Sequence, residues 1–409
     1  MIMIAAYRSR RAGREVNVLN VAQELNRLWR RETEAARVTG VRQTYNLHLH
    51  SRALNYRGNY KSARVSVYRH STACLPSQNR QQAGTERPCD RNDPVAYYLG
   101  IDGGGSKTTC AVGDETSLLA SVHAGPSNIT RVGETRARES LHQAVHDACA
   151  AAKIDARQIR RACIGVAGAG RQEVACVVHK IVSEILSGEI EVVGDMQIAL
   201  AAAFGAGPGV IVIAGTGSIA YARNARGETA RAGGWGYAIS DEGSAHWIGR
   251  NVVKALMHTV DRGAAAGTPA QEVAESLLLF RQLKVIWSVS SLDEFVGKAN
   301  SNPDFAELFP AIVATGEAGD EASQRVLNMA GGALARLVRM VCQVFRRHKP
   351  EITAIPLAVA GGVFRYSARA RAVFDEDVRK FDARLVPASQ IVEPVLGALQ
   401  MARNGRQKD

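Results

Sequence analysis

The sequence predicts an α/β protein of two similarly built domains that follow a basic N-terminal segment. Its 409 residues exceed what one compact core usually holds, which favours two domains. Only 6% of the residues are aromatic and 38 are Gly, a balance typical of strands joined by tight turns. From Tyr97 onward short apolar strands alternate with helical periods, and a related order begins again after Gly207–Gly209. We therefore expect a first domain over 97–208 and a second over 209–409.

The formal charge of +12 is concentrated in the basic segment. Residues 1–96 hold 17 Lys and Arg against 7 Asp and Glu, which leaves a charge of +2 for residues 97–409. The nearly neutral part lacks the cations that neutralise several phosphates of a nucleic acid. The basic segment carries no helix-turn-helix pattern and no alternation of basic and aromatic residues. We therefore expect no nucleic-acid partner.

Residues 1–96 lack the pattern of a packed core, and only Glu15–Ala36 has a helical period. Three interpretations remain open: a disordered basic arm, an organelle transit segment, or an upstream stretch placed before the true start. The four acidic residues within the helical period count against a transit segment. We favour the third interpretation, because the first regular strand begins at Tyr97 and a GTG codon at Val95 would serve as a start.

The cysteines and the apolar stretches indicate a cytoplasmic protein with no membrane partner. Seven cysteines are widely spaced and form no CxxC pair, as expected for reduced thiols. No apolar segment with a cleavage site stands at the N-terminus. The uncharged stretch Met196–Ala222 is long enough to span a bilayer, but five Gly and Pro208 within it favour turns.

In the first domain the pattern predicts three strands and then alternating helices and strands. The strands are expected at Tyr97–Ile101, Thr108–Val112, Leu118–Ala124, Arg161–Val166 and Glu191–Val193. The helices are expected at Arg136–Ala152, Glu173–Leu186 and Ile198–Phe204.

In the second domain three strands are followed by many helices, a buried strand and two final helices. The strands are expected at Val210–Ala214, Ile219–Arg223, Thr229–Ala232 and Ile355–Val359. The helices are expected at Ser244–Arg262, Pro269–Leu283, Leu292–Ala299, Phe305–Ala314, Glu321–Arg347, Ser367–Lys380 and Pro394–Arg403.

The run Asp102–Thr108, Asp-Gly-Gly-Gly-Ser-Lys-Thr, joins the first two strands and suits an anion. Its glycines let backbone N–H groups approach a phosphate closely, and its Ser, Lys and Thr add donors. It is neither a Walker A loop nor a Rossmann fingerprint, since a strand and not a helix follows it. A plain hairpin turn is the alternative. Against that alternative, Asp102 at the end of a strand is a natural ligand for Mg²⁺.

A second glycine loop, Ala214–Ser218, also joins two strands. Two such hairpins, one in each domain, can hold the phosphates of one nucleotide from both sides of a cleft. The turn Ala360–Val363 offers a flat backbone surface for an adenine or ribose, although helix–strand packing alone would also explain it.

Acidic residues stand beside these loops. Asp195 follows a strand and precedes a helix, where a carboxylate can accept the proton of a hydroxyl that attacks a γ-phosphate. A helix N-cap is the alternative role there. The runs Gly233–Gly236 and Ser240–Ala245 combine an aromatic residue, glycines and acids, the mixture that carbohydrate sites use. The alternative is a capped start of the following helix.

Together these motifs resemble the N-acetylglucosamine kinase and BadF/BadG-type ATPase group of the actin/hexokinase/Hsp70 superfamily, over residues 97 to about 403. The resemblance implies two actin-like (ribonuclease H-like) domains with a cleft between them, a helical insertion in the second, and a last helix that returns to the first. It implies a cytoplasmic enzyme that uses ATP and Mg²⁺ to phosphorylate the 6-hydroxyl of an amino sugar of the N-acetylglucosamine or glucosamine type. A homodimer is a possible assembly.

The resemblance also implies a role for each motif residue. Asp195 would be the catalytic base, and Asp102 would bind Mg²⁺. The sugar would be bound by Asn128, Gly234, Trp235 and Asp241. The phosphates would be bound by Gly104, Ser106, Lys107, Thr108, Thr216 and Gly217, with the adenosine near Gly361 and Gly362.

Two points leave the substrate and the class of reaction open. Ala167–Ala169 stands where family members carry Ser-Gly-Gly near the sugar, so one hydroxyl contact is missing and a cell-wall amino sugar is an alternative substrate. The same family includes ATPase subunits that energise electron transfer to a CoA-thioester reductase or dehydratase through a cysteine-bound iron–sulfur cluster. Here Cys163 falls on a predicted core strand, and Cys149 and Cys176 fall on predicted helices.

Overall fold

Residues 95–345 and 354–405 are described in full by the computed structural model. They belong to a unit that covers Arg91–Asp409, and a separate unit covers Met1–Asp90. In the latter, the structure describes two short antiparallel strands, β1 (Leu47–Leu49) and β2 (Val65–Val67). The predicted helix Glu15–Ala36 and the interpretations of the basic segment fall outside the described residues.

The first sheet has the strand order β5-β4-β3-β6-β7. Its strands are β3 (Tyr97–Gly103), β4 (Thr108–Gly113), β5 (Leu118–Ala124), β6 (Ile159–Val166) and β7 (Glu189–Gly194). The neighbouring helices are α1 (Ile129–Ala152), α2 (Gln172–Ser183) and α3 (Asp195–Phe204). β3, β4 and β5 pair antiparallel, whereas β6 and β7 run parallel to β3. The carboxyl ends of β3, β6 and β7 therefore meet at one edge.

The second sheet repeats this plan with the order β10-β9-β8-β11-β12. Its strands are β8 (Gly209–Ala214), β9 (Ser218–Arg223), β10 (Thr229–Gly233), β11 (Ile355–Ala360) and β12 (Leu385–Val392). β8, β9 and β10 pair antiparallel, and β11 and β12 are parallel to β8.

Most helices of the described residues lie between β10 and β11 or after β11. The first group is α4 (Ala245–Ala265), α5 (Ala270–Ser276), α6 (Leu278–Ile286), α7 (Leu292–Asn300), α8 (Phe309–Glu317) and α9 (Glu321–Val341). The second group is α10 (Gly362–Tyr366), α11 (Ala368–Phe381) and α12 (Pro394–Asn404). None of the helices in the described ranges combines the length and the apolar character that a membrane crossing requires.

Helix α3 is shared by the two sheets. Its Ile198 packs with residues of the first sheet and of α12, while Ala199 and Leu200 pack with β8 and β11. The last helix, α12, packs on β3 and on α3. Gly100 of β3 makes this approach possible, because a Cβ there would lie 2.4 Å from the backbone nitrogen of Leu399. The sheets are thus joined through a packed apolar core.

Most predicted strands and helices are present, and the differences have local causes. The predicted helix Pro269–Leu283 is two helices, because Leu277 adopts an extended conformation between α5 and α6. Helix α1 begins seven residues before its predicted start, since Gly133 at φ 79° interrupts the apolar period. Strand β12 was not predicted: it is a largely exposed edge strand that contains Pro387.

We expect Gly100→Ala to destabilise the chain by about 2 kcal/mol, because the new methyl group would collide with backbone atoms of Val395 and Leu399. Gly297→Ala in α7 is the matched control: nothing lies within 4 Å of a Cβ there, and Ala favours a helix. Urea unfolding of the full chain measures both variants. Similar stabilities of the two variants would contradict the close packing of α12 on β3.

Candidate active site

The first glycine loop, between β3 and β4, is held by its own backbone and by the start of α1. The N–H group of Gly104 donates to the carbonyl of Lys107 over 3.0 Å. The carbonyl of Gly104 accepts from the N–H groups of Ser127 and Asn128, both at 3.2 Å. Ser106 and Lys107 are exposed at the tip of the loop. The loop thus presents two side-chain donors and fixes Asn128 beside it.

Thr108 has a different surrounding from the one predicted for a phosphate ligand. Its side chain is fully buried. Its hydroxyl donates to the carbonyl of Gly125 (2.7 Å), and its oxygen lies 2.8 Å from Oγ of Ser127, within hydrogen-bonding distance. These bonds brace the segment that leads to Asn128. In this structure the Thr108 hydroxyl therefore supports the loop and is not presented to a phosphate.

The second glycine loop, between β8 and β9, is tied to the start of α4. The carbonyls of Gly215 and Thr216 accept from the N–H groups of Ala245 (2.9 Å) and His246 (3.4 Å). The Thr216 hydroxyl oxygen lies 2.6 Å from the Ser106 hydroxyl oxygen of the first loop. The structure therefore brings the two loops face to face on opposite sides of the cleft between the sheets, with these two hydroxyls in direct contact.

The third turn, after β11, abuts the second loop. Gly361 has φ 99°, and a Cβ there would lie 2.4 Å from the carbonyl oxygen of Ala214. Only glycine combines this backbone angle with such a close approach. Gly362 begins α10 directly after the turn. The two glycines thus extend the wall formed by the second loop.

Three acidic side chains meet in the cleft. Asp102 lies near the carboxyl end of β3, and Asp195 is the first residue of α3, directly after β7. Burial raises the pKa of Asp102 to about 7, and the charge of Asp195 adds to this effect. Burial also raises the pKa of Asp195, although the Met196 N–H bonds to its carboxylate at 3.0 Å, and Asp241 raises it further. The acids of both sheets therefore influence one another electrostatically.

Asp241 belongs to a loop in which several residues adopt left-handed conformations. Its side chain is buried and φ is 65°, and its carboxylate accepts from the Gly236 N–H at 3.3 Å. Burial raises its pKa. A Cβ on Gly217 would lie 2.8 Å from Asp241 Oδ2, so this acid packs directly on the second glycine loop. Gly234, at φ 69°, donates its N–H to the Ser218 carbonyl at 2.9 Å.

The remaining predicted sugar ligands differ in how far they are enclosed. Asn128 Oδ1 accepts from the Thr130 hydroxyl at 2.7 Å, and its side-chain NH₂ has no hydrogen bond within the described ranges. Trp235 is 62% exposed, and the Arg231 guanidinium lies 4.2 Å from its ring centroid. Asn128 is therefore available to a ligand, whereas Trp235 does not line an enclosed pocket in this structure.

An ion pair between Arg131 and Asp304, which crosses the cleft, was not predicted from the sequence. Neither residue belongs to a recognisable motif, and the two lie far apart along the chain. Beside this pair, His246 is buried, and its Nδ1 has no hydrogen-bond partner among the described residues. Only the folded arrangement reveals this cluster.

The acids fit Mg²⁺, which proteins bind through one or two carboxylates together with phosphate oxygens. Asp102 supplies a carboxylate of this kind, and Asp195 lies close enough to raise its pKa. Over 95–345 and 354–405 no three His, Cys, Asp or Glu side chains form a group that could hold a metal without further ligands.

Burial raises the pKa of Cys149 to about 11 and that of Cys163 to about 12, as expected of thiols packed in a core.

Two sheets of one plan, with glycine hairpins that face each other across a cleft, define the class of two-domain ATP-using proteins with the actin-like fold. The chain belongs to the BadF/BadG/BcrA/BcrD ATPase family, whose model matches residues 99–402.

Individual relatives support this assignment over most of the chain. An N-acetylmuramic acid/N-acetylglucosamine kinase of Clostridium acetobutylicum is 31% identical over 317 residues, which cover 76% of this chain and 99% of that protein. An N-acetyl-D-glucosamine kinase of Dictyostelium discoideum is 27% identical, with coverages of 76% and 98%. A crystal structure from Chromobacterium violaceum, provisionally named N-acetylglucosamine kinase, has a TM-score of 0.58 at 22% identity. The match covers 75% of this chain and 99% of the Chromobacterium chain, and it supports the fold.

We expect Asp102→Asn to stabilise the metal-free protein at pH 8 by up to about 4 kcal/mol. The pKa of Asp102 is about 7 in the folded state against 3.8 ordinarily, so the folded state retains a proton that the unfolded state releases between these values. The free energy of unfolding of the wild type therefore falls as pH rises from about 4 to about 7. Asn cannot ionise, so the variant lacks the decrease that Asp102 causes.

Urea unfolding with a chelator at pH 5 and pH 8 measures the difference. Asp114→Asn is the control of opposite sign, because N–H groups of Ser117 and Thr116 lower the pKa of Asp114. That variant should be less stable than wild type at both pH values. The same pH dependence in wild type and Asp102→Asn would contradict the raised pKa.

Proposed function

We propose that the chain is an ATP-dependent kinase that transfers the γ-phosphoryl group of ATP to the 6-hydroxyl of an amino sugar. The observation that carries the proposal is the position of Asp195, a half-buried carboxylate directly after β7 that shares a cleft with two facing glycine loops. Family membership and the names of the relatives support the same class of reaction.

The nucleotide would lie between the two loops. The side chains of Ser106 and Lys107 on one loop and of Thr216 on the other are donors that suit the phosphates of ATP. Asp102 would hold Mg²⁺, which when bound neutralises charge on the phosphates. The residues proposed to contact the phosphates are Gly104, Ser106, Lys107, Thr216 and Gly217, and those near the adenosine are Gly361 and Gly362.

Asp195 would accept the proton of the attacking hydroxyl. Its raised pKa makes the carboxylate a stronger base than an ordinary aspartate. A base whose pKa lies nearer the working pH accepts a proton more effectively. The hydrogen bond from the Met196 N–H holds the carboxylate in place at the start of α3. Positioning and proton acceptance are the two contributions that this side chain makes.

The sugar would be bound by the free NH₂ group of Asn128, the Asp241 carboxylate and the backbone at Gly234. Trp235 would contact the sugar only after its loop moves inward. We propose N-acetylglucosamine or glucosamine as the acceptor, with N-acetylmuramate as the alternative that the Clostridium relative suggests. We expect the enzyme to act in the cytoplasm on this small substrate, as a monomer or a homodimer.

Sugar-dependent ADP release by the full chain tests the function. We expect turnover with Mg-ATP and one or more of N-acetylglucosamine, glucosamine and N-acetylmuramate, and none with glucose alone. Phosphate-ester mapping of the product by NMR should place the phosphoryl group on the 6-oxygen. Slow ATP hydrolysis that no sugar accelerates would contradict the proposal.

We expect Asp195→Asn to lower kcat by roughly 10²- to 10⁴-fold while the Kd for Mg-ATP stays within about twofold, because the variant removes the base and keeps the loops. Asp102→Asn should instead weaken binding of Mg-ATP. Coupled ADP release and nucleotide titration measure the two effects. Equal, small effects of both variants would show that the assigned roles are wrong.

A further inference from the structure

The ion pair between Arg131 and Asp304 joins the two sides of the cleft. Arg131 lies in the first turn of α1, three residues after Asn128, on the side of the first sheet. Asp304 lies between α7 and α8, on the side of the second sheet, where it caps the short 3-10 turn Phe305–Leu308. Its carboxylate accepts from the Ala306 N–H at 3.0 Å, which holds the acid in place.

Both ends of the pair are attached to the nucleotide loops. The Arg131 side chain lies over the first loop, since a Cβ on Gly105 would be 3.2 Å from Arg131 Cδ. Asp304 Oδ1 lies 3.8 Å from Nδ1 of His246, whose backbone N–H donates to the Thr216 carbonyl. The ion pair therefore couples the first loop and Asn128 to the second loop and the start of α4.

The pair is shielded from solvent more than an ordinary surface ion pair. The Arg131 and Asp304 side chains are 18% and 26% exposed. Burial opposes ionisation of Asp304, but its contacts with His246 and Arg131 outweigh this and lower its pKa to about 2. The acid is therefore charged throughout the physiological range, and salt screens the attraction only in part.

We propose that Arg131 and Asp304 are positioning residues that keep the sugar-binding sides of the cleft together during phosphoryl transfer. The inference rests on the proposed function. Without the pair, Asp195 and the loops remain, but the first turn of α1 is free to swing Asn128 away from Asp241. Sugar binding should weaken, and water should enter the cleft in place of the sugar hydroxyl.

The test compares Arg131→Met, Asp304→Asn and the double variant with wild type. Each single variant should raise the KM for the sugar about tenfold and change kcat less than about threefold, because the base is untouched. ATP hydrolysis without sugar should increase relative to sugar-dependent turnover. The double variant should be no worse than either single variant, because both remove one interaction.

Arg138→Met is the matched control. Arg138 lies on the same helix and pairs with Glu134 and Glu184, which are on its own side of the cleft. This variant should keep the wild-type KM for the sugar. Thermal unfolding of every variant separates a loss of positioning from a loss of folding.

Small-angle X-ray scattering gives a readout that needs no activity. Arg131→Met and Asp304→Asn should have a larger radius of gyration than wild type and Arg138→Met. The inference would be overturned if both single variants kept the wild-type KM and the wild-type scattering. It would also be overturned if the effects of the two substitutions were additive in the double variant. In either case sugar-dependent turnover of the wild type would still support the proposed function. A different outcome is also informative: no sugar accelerates ADP release by the wild type, but the two variants still have a larger radius of gyration. That result would overturn the proposed function and, with it, the positioning role.

Discussion

The site depends on one electrostatic constraint: three carboxylates share a single cleft. Asp102 and Asp195 come from the first sheet and Asp241 from the second, and burial raises the pKa of each. Their mutual repulsion would be relieved by a bound cation or by a proton, which is how acidic sites favour metal-bound phosphates and proton transfer. The parallel strands β3 and β7 bring Asp102 and Asp195 to the same edge of the first sheet, whereas Asp241 reaches the site from the loop after β10.

The glycines around these acids are required because there is no room for a side chain, as well as for the backbone turns that they allow. Gly217 lies against the Asp241 carboxylate, and Gly361 lies against the carbonyl of Ala214, so a methyl group at either position would collide with its neighbour. The second loop, the third turn and the acidic loop are thereby packed into one surface. Substituting these glycines would alter the position of the acids and the backbone donors together.

The sequence was sufficient for the parts of the fold and site that depend on local pattern. Buried strands such as β3 and β8 are apolar runs between glycine turns, and the loops and acids form compact motifs. Strand β12 was not predicted, because it lies at the edge of its sheet, is largely exposed and therefore lacks the apolar pattern of a buried strand. The bracing role of Thr108 and the pairing of Arg131 with Asp304 depend on partners that only tertiary structure supplies.

The two connections between the sheets differ in physical kind, and this difference fixes where the molecule can move. At α3 the sheets are joined by buried apolar side chains, including Ile198 and Leu200, whose separation would expose a core. Across the cleft they are joined by polar contacts: the hydroxyls of Ser106 and Thr216 and the ion pair of Arg131. Water can replace polar contacts at small free-energy cost, whereas it cannot replace a packed core. Opening for substrate entry must therefore occur at the loops, with α3 as the fixed axis.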